Sequence, residues 1–214
     1  MGLLVLLRHG ESEWNAKDLF AGWTDVELSA RGAAQAVSAG EALLADGLLP
    51  AVVHTSVQRR AIKTADLALA ACGRLWVPVR RSWRLNSNHY GALEGRVKSQ
   101  VRASLGEAEY ARIHRGYHVR PPLGEASDDP RYSCVPADAR PCGESLADVT
   151  ARLLPYFCDA IVPDLARFPC VLVVSHGNTL RALVKHLDGV SDEDSAELAV
   201  PNARPIRYEF PGRT

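Results

Sequence analysis

The chain has 214 residues, 47% hydrophobic and 23% charged, with 25 basic and 25 acidic side chains and a formal net charge of zero. That length suits one domain with a buried core, and the balance is that of an ordinary globular protein. It excludes the broad basic footprint of a nucleic-acid binder, and no apolar run reaches the roughly 18–20 residues that span a bilayer. The apolar start, residues 1–7, is too short for a secretory leader. Cysteines at 72, 134, 142, 158 and 170 make an odd count, which points to reduced thiols and a cytoplasmic setting. None stands at zinc-ligand spacing with a histidine, so no metal site is expected.

Taken in order, residues 3–7 form an unbroken apolar run, as a buried strand requires, and Arg8, His9 and Gly10 follow at once. Residues 17–26 read as a loop broken by Gly22. Ser29 is placed to cap a helix that carries Ala33, Val37, Gly40 and Leu44 at helical spacing and ends at Gly47. Residues 51–54 form a second short strand. Ser56 is the expected cap of the next helix, whose first turn holds Arg59, Arg60 and Lys63 against the macrodipole. A third strand is expected over 75–79. Residues 97–115 have helical composition with a break at Gly106, and 121–140, with four prolines, read as a surface excursion. Leu146, Val149, Leu153, Phe157, Ile161 and Leu165 mark a long amphipathic helix that Pro155 and Pro163 should kink. A strand over 170–175, a helix over 178–187 and a last strand over 204–210 complete an alternating α/β pattern, that of a doubly wound, mostly parallel sheet.

The chemistry concentrates where two strands end. A guanidinium at Arg8 can fork onto phosphate oxygens, and a neutral imidazole at His9 can attack phosphorus. Alone, Arg8-His9-Gly10 is equally well a strand followed by a solvated turn. The second apolar run, however, ends in Ser175-His176-Gly177-Asn178 and repeats the design. Two such ends can bring two imidazoles to one phosphate, with the backbone N–H groups of the helix that begins there facing the anion.

With both stretches present, the chain resembles the histidine phosphatase superfamily, and within it the cofactor-dependent phosphoglycerate mutases. The likeness runs from Leu3 to about Phe210 and includes Glu13-Trp14-Asn15, Gly22-Trp23-Thr24-Asp25, Leu28-Ser29, Arg59-Arg60-Ala61, His89-Tyr90-Gly91-Ala92-Leu93 and Leu180-Arg181-Ala182-Leu183-Val184-Lys185. It implies phosphoryl transfer on a small phosphorylated acid through a phosphohistidine at His9. Arg8, Arg60 and His176 would surround the phosphoryl group, His9 neutral and His176 charged. Asn15, Gly22, Ser87, Tyr90, Lys98, His114, Arg115, Gly177 and Asn178 would bind substrate. The resemblance also implies 2,3-bisphosphoglycerate as a phosphoryl donor, assembly as a homodimer or homotetramer, and one domain over 1–214 with a surface insertion at about 117–143.

Three positions depart from the pattern. Ser87 stands where these enzymes carry a glutamate that serves as general acid and base, Asn88 where they carry an arginine, and His114 where they carry the first of two adjacent arginines. Glu94, Glu11 and His89 are the candidates to replace the missing acid, and Glu11 is also a candidate to hold the tautomer of His9. The departures leave two alternatives open. One is a family member repurposed for a substrate whose leaving group needs no proton; the other is an anion-binding protein with little catalysis.

Overall fold

The computed structural model describes residues 2–210. In chain order its elements are β1 (Gly2–Arg8), α1 (Glu13–Ala16), α2 (Ala30–Ala45), β2 (Val52–Thr55), α3 (Arg59–Ala71), β3 (Val79–Arg81), α4 (Lys98–Leu105), α5 (Glu107–Arg115), α6 (Leu146–Tyr156), α7 (Val162–Arg167), β4 (Cys170–Ser175), α8 (Gly177–Asp188) and β5 (Ile206–Phe210). The strands form one sheet in the order β3-β2-β4-β1-β5. Only β5 runs antiparallel, beside β1.

The apolar runs are unbroken because the sheet is buried on both faces. Side chains alternate along each strand. Leu4, Leu6, Val171 and Val173 pack with Val149 and Leu153 of α6 and Leu180 and Leu183 of α8. Their neighbours Val5, Leu7, Leu172 and Val174 pack with Leu43 of α2 and Ala65 and Leu69 of α3. Helices therefore cover both faces, as the α/β reading expects. Each fully buried Leu or Val is worth about 1.5–3 kcal/mol, so a one-residue slip of β1 would exchange its two sets and is strongly disfavoured.

Ser29 accepts the Gly32 N–H and caps α2 as expected. Gly106 divides α4 from α5 at φ +80°, and Pro155 lies one residue before the end of α6, where a π-helical turn over Phe157–Ile161 leads into α7. Several expectations need correction. The third strand is Val79–Arg81, not 75–79, because its pairing begins at Val53↔Val79. Leu75 and Trp76 form an exposed turn in which only Val77 is buried. Ser56 does not cap α3; Gln58 holds that position, without a side-chain bond. The helix after β4 starts at Gly177, with His176 at its N-cap. The short helix α1 was missed altogether; Ser12 and Asn15 close a capping box around it. In the 117–143 stretch, Tyr132 is buried and packs tilted against Trp23, ring centroids 4.6 Å apart.

Candidate active site

Strands β1 and β4 are parallel neighbours in the register Arg8↔Ser175, so the residues just beyond them emerge side by side. The rings of His9 and His176 lie 4.9 Å apart, inclined at 60°. His9 Nδ1 is 2.6 Å from the Gly10 carbonyl, which can only accept, so Nδ1 carries the proton and Nε2 keeps its lone pair. His176 Nε2 is 2.8 Å from Ser56 Oγ, and its Nδ1 is buried with no partner. Both imidazoles are almost wholly enclosed. Burial, then the Arg60 charge, pushes each well below the ordinary histidine value. Both shifts favour the neutral imidazole, and a phosphoryl dianion seated beside His176 would act in the opposite direction.

The two arginines are fixed by backbone carbonyls. Arg8 Nη1 donates to Val200 O at 2.8 Å, while its Nε is buried and unpartnered. A Cβ at position 177 would come within 3.2 Å of Arg8 Cζ, so Gly177 lets the guanidinium lie against the start of α8. Arg60 donates to Gly22 O at 2.7 Å and Thr24 O at 3.0 Å, which ties the 17–26 loop to the site. Burial lowers Arg60 to about 10, so it stays charged at neutral pH. Gly22 has φ +49°, and a Cβ there would collide with the Glu94 carboxylate. Trp23 anchors the loop by donating Nε1 to Ser87 O at 2.7 Å, and it does not face the cavity. Arg59 points outward to Asp25 and Glu27.

A cavity of about 180 Å³ opens over these groups. Every site residue read from the sequence lines it: Arg8, His9, Asn15, Gly22, Arg60, Ser87, Tyr90, Lys98, His114, Arg115, His176, Gly177 and Asn178. Ser87 N and Arg60 Nη2 both donate to Gln58 Oε1, at 2.8 Å and 3.3 Å, so Ser87 stands near the Arg60 guanidinium. Asn88 also lines it; Asn178 Nδ2 donates to Asn88 Oδ1 at 2.8 Å and to the Tyr90 hydroxyl at 3.1 Å. His114 stacks on Tyr90 and Tyr110, and burial, reinforced by Lys98, lowers it to about 4. His114 and His118 have the four-residue spacing of a helical metal pair, but α5 ends at Arg115, and His118 is exposed against Asp192.

Sequence reasoning missed Arg181. It is 2% exposed and lines the cavity from α8. Its Nη2 donates to Arg115 O at 3.2 Å, and its Nε and Nη1 are buried without partners. The available signal was its position: four residues after Gly177, it lies on the same helix face as the site.

None of the three candidate replacement acids lines the cavity. Glu94 accepts from Trp23 N, Thr24 N, Thr24 Oγ1 and Tyr90 N. Glu11 accepts from Ser29 Oγ at 2.9 Å, and the tautomer of His9 is held by Gly10 rather than by Glu11. His89 Nδ1 accepts the Gly91 N–H.

Two strand-end imidazoles, one with a free lone pair, beside guanidiniums on a doubly wound sheet define an α/β protein built for phosphoryl groups. The sequence pattern of the histidine phosphatase superfamily (branch 1) matches residues 4–214. The chain is 56% identical over 213 residues to a 2,3-bisphosphoglycerate-dependent phosphoglycerate mutase of Streptomyces griseus, covering 97% of this chain and 84% of that protein. It is 52% identical to the protein of the same name from Thermobifida fusca, covering 98% and 87%. Among solved structures, a mycobacterial hydrolase superposes with a TM-score of 0.77 at 28% identity, covering 96% of this chain and 90% of that one. A mycobacterial glucosyl-3-phosphoglycerate phosphatase in complex with VO3 superposes with a TM-score of 0.74 at 28% identity, covering 97% and 90%. The chain belongs to the histidine phosphatase superfamily.

Proposed function

We propose that this protein transfers a phosphoryl group from a small phosphorylated acid through Nε2 of His9. The observation that carries the reading is the free lone pair on a neutral imidazole, next to Arg8, Arg60 and His176. Catalysis of this kind is mostly positioning and charge stabilisation. Arg8, Arg60 and His176 would hold the phosphoryl oxygens, helped by Asn15 and by the Gly22 and Gly177 backbone. Lys98, Arg115 and His114, with Ser87, Tyr90 and Asn178, would hold the rest of the substrate.

The relatives' name brings 2,3-bisphosphoglycerate into the proposal. The cationic lining of Arg8, Arg60, Lys98 and Arg115 fits the charge of a bisphosphate. It enters as one donor to be compared with acyl and enol phosphates for the priming of His9. The same proposal takes 1–214 as one domain with an insertion at about 117–143, working in the cytoplasm as a homodimer or homotetramer. Five free thiols support the setting, and exposed Leu75 and Trp76 beside the edge strand β3 support self-association.

The test is intact mass of the wild type and His9→Ala after incubation with 2,3-bisphosphoglycerate, phosphoenolpyruvate and acetyl phosphate in turn. One added phosphoryl group in the wild type alone is expected with at least one donor. No addition and no phosphate release with any donor would overturn the reading.

A further inference from the structure

The cavity holds five cations and no acid. Arg8, Arg60, Lys98, Arg115 and Arg181 line it, and among the described lining residues there is no aspartate or glutamate. The carboxylates nearby are committed elsewhere. Glu94 lies behind Gly22 and receives four donors, Glu11 receives Ser29, and Glu144 is paired with Arg152 at 2.7 Å.

The remaining candidates to give a proton are weak. His9 is the nucleophile, and its one proton is held by Gly10. His176 Nε2 is engaged with Ser56 Oγ, and burial favours the neutral form of both His176 and His114. Tyr90 is a phenol that burial makes less acidic still. Lys98 is an ammonium that burial, and also the Arg8 charge, makes more acidic than a free lysine, and it remains a weaker acid than a carboxyl group. An alkoxide leaving from phosphorus needs a proton as the bond breaks, and general acid catalysis of such a step is worth roughly 10²–10⁴-fold. The oxygen of a carboxylate or enolate needs far less help, and a pocket of fixed cations is what stabilises it as an anion.

We propose that the phosphoryl donor carries its phosphate on an acidic oxygen, that of a carboxyl or enol group, in a small, multiply charged acid. The proposal rests on the phosphohistidine reading and narrows its substrate class. In the loading step His9 Nε2 forms a bond to phosphorus while the bond from phosphorus to the leaving oxygen breaks. The electron pair departs on that oxygen as a carboxylate or enolate, paired with the cations Lys98, Arg115 and Arg181. No proton moves. In the unloading step water attacks phosphorus, the P–N electron pair returns to Nε2, and both protons of the water leave with the dihydrogen phosphate formed. Alkyl phosphate esters, 2,3-bisphosphoglycerate among them, fit the charge of the cavity but must expel an unassisted alkoxide.

The experiment measures single-turnover loading of the full chain by intact mass, with phosphate release followed in parallel. The donors are acetyl phosphate and phosphoenolpyruvate on one side, 3-phosphoglycerate and 2,3-bisphosphoglycerate on the other. Acyl and enol donors are expected to load His9 at least about 10²-fold faster, on the scale of the missing acid. Intrinsic reactivity is separated by placing an acid in the gap. Ser87→Glu is expected to raise the ester-to-anhydride rate ratio at least about tenfold, and Ser87→Gln, of the same size without the proton, to leave the ratio where it was. If the Ser87 variants fail to fold, Asn88→Asp, isosteric with a side chain that already lines the cavity, supplies the acid instead, with the wild type as its control. Esters loading as fast as anhydrides would overturn the inference and leave the phosphohistidine reading intact, with Lys98 or Tyr90 as the proton source. A ratio that rises equally in Glu and Gln would also overturn it. No loading of His9 by any donor would remove the reading itself.

Discussion

His9 is useful only while Nε2 is unprotonated, and its surroundings hold it in that form. Burial is the larger cause, and Arg60 and Arg8 add to it. A value depressed below the ordinary 6.5 means that the attacking form persists as pH falls through that point. The His9 ring, followed by NMR with the His9→Ala spectrum as its assignment, is expected to show no titration near pH 6.5, and loading with acetyl phosphate is expected to stay level from pH 8 to 6. A midpoint near 6.5 in both would contradict the geometry. Arg181 makes the complementary case. Its guanidinium is buried, lowered to about 10 by that burial, and bonded only through Nη2. Arg181→Met removes a desolvated charge, so stability should hold or rise. Binding of a multiply charged donor should weaken, by roughly tenfold if one charge-assisted contact is lost. The readout is KM against kcat: KM is expected to carry most of the change, and an unchanged KM with a fall in melting temperature would assign Arg181 to structure alone.

At the scale of elements, the site was legible wherever chemistry follows directly on a buried run. Arg8 and His9 come straight after five apolar residues, and His176 and Gly177 straight after β4, so the strand ends are marked in the sequence itself. Arg181 was hidden because a cation early in a helix reads as a solvated face until packing shows which way it points. The third strand was misplaced for a related reason. Apolarity at 75–77 looked like a sheet, yet the partner register begins at Val79, and Trp76 is 70% exposed. Nor could the sequence show that the prolyl insertion reaches the site. Tyr132 accepts from Asn86 Nδ2 at 2.9 Å and packs against Trp23, which in turn holds Ser87 O. Tyr132→Ala should therefore cost about 3–5 kcal/mol, as for other large buried aromatics, and loosen the loop that Gly22 and Arg60 share. Denaturant unfolding reads the first effect and a reduced kcat/KM the second. A stability loss with kcat/KM unchanged would separate the insertion from the site.

At the scale of the whole molecule, a chain with no net charge concentrates five cations in one cleft at the ends of its parallel strands. The acidic side chains that balance them lie elsewhere, as with Asp25 and Glu27, which pair with Arg59 and Lys63 on the outer side of α3. A distant donor therefore meets almost no field, and attraction begins only within about a Debye length of the mouth, roughly 10 Å at 0.1 M salt. Inside, the low-dielectric walls and the start of α8 focus that field on an anion. The consequence is a salt dependence that grows with donor charge rather than with the charge of the protein. Raising salt from 20 to 300 mM should lower kcat/KM for phosphoenolpyruvate several-fold, while acetyl phosphate, with one fewer negative charge, falls by distinctly less; both magnitudes are on the order of those for short-range electrostatic steering. Arg181→Met and Lys98→Met should each flatten the steeper line toward the shallower one. Equal slopes for the two donors would mean that Lys98 and Arg181 do not meet the substrate, and the cavity would then owe its charge to the fold rather than to what it binds.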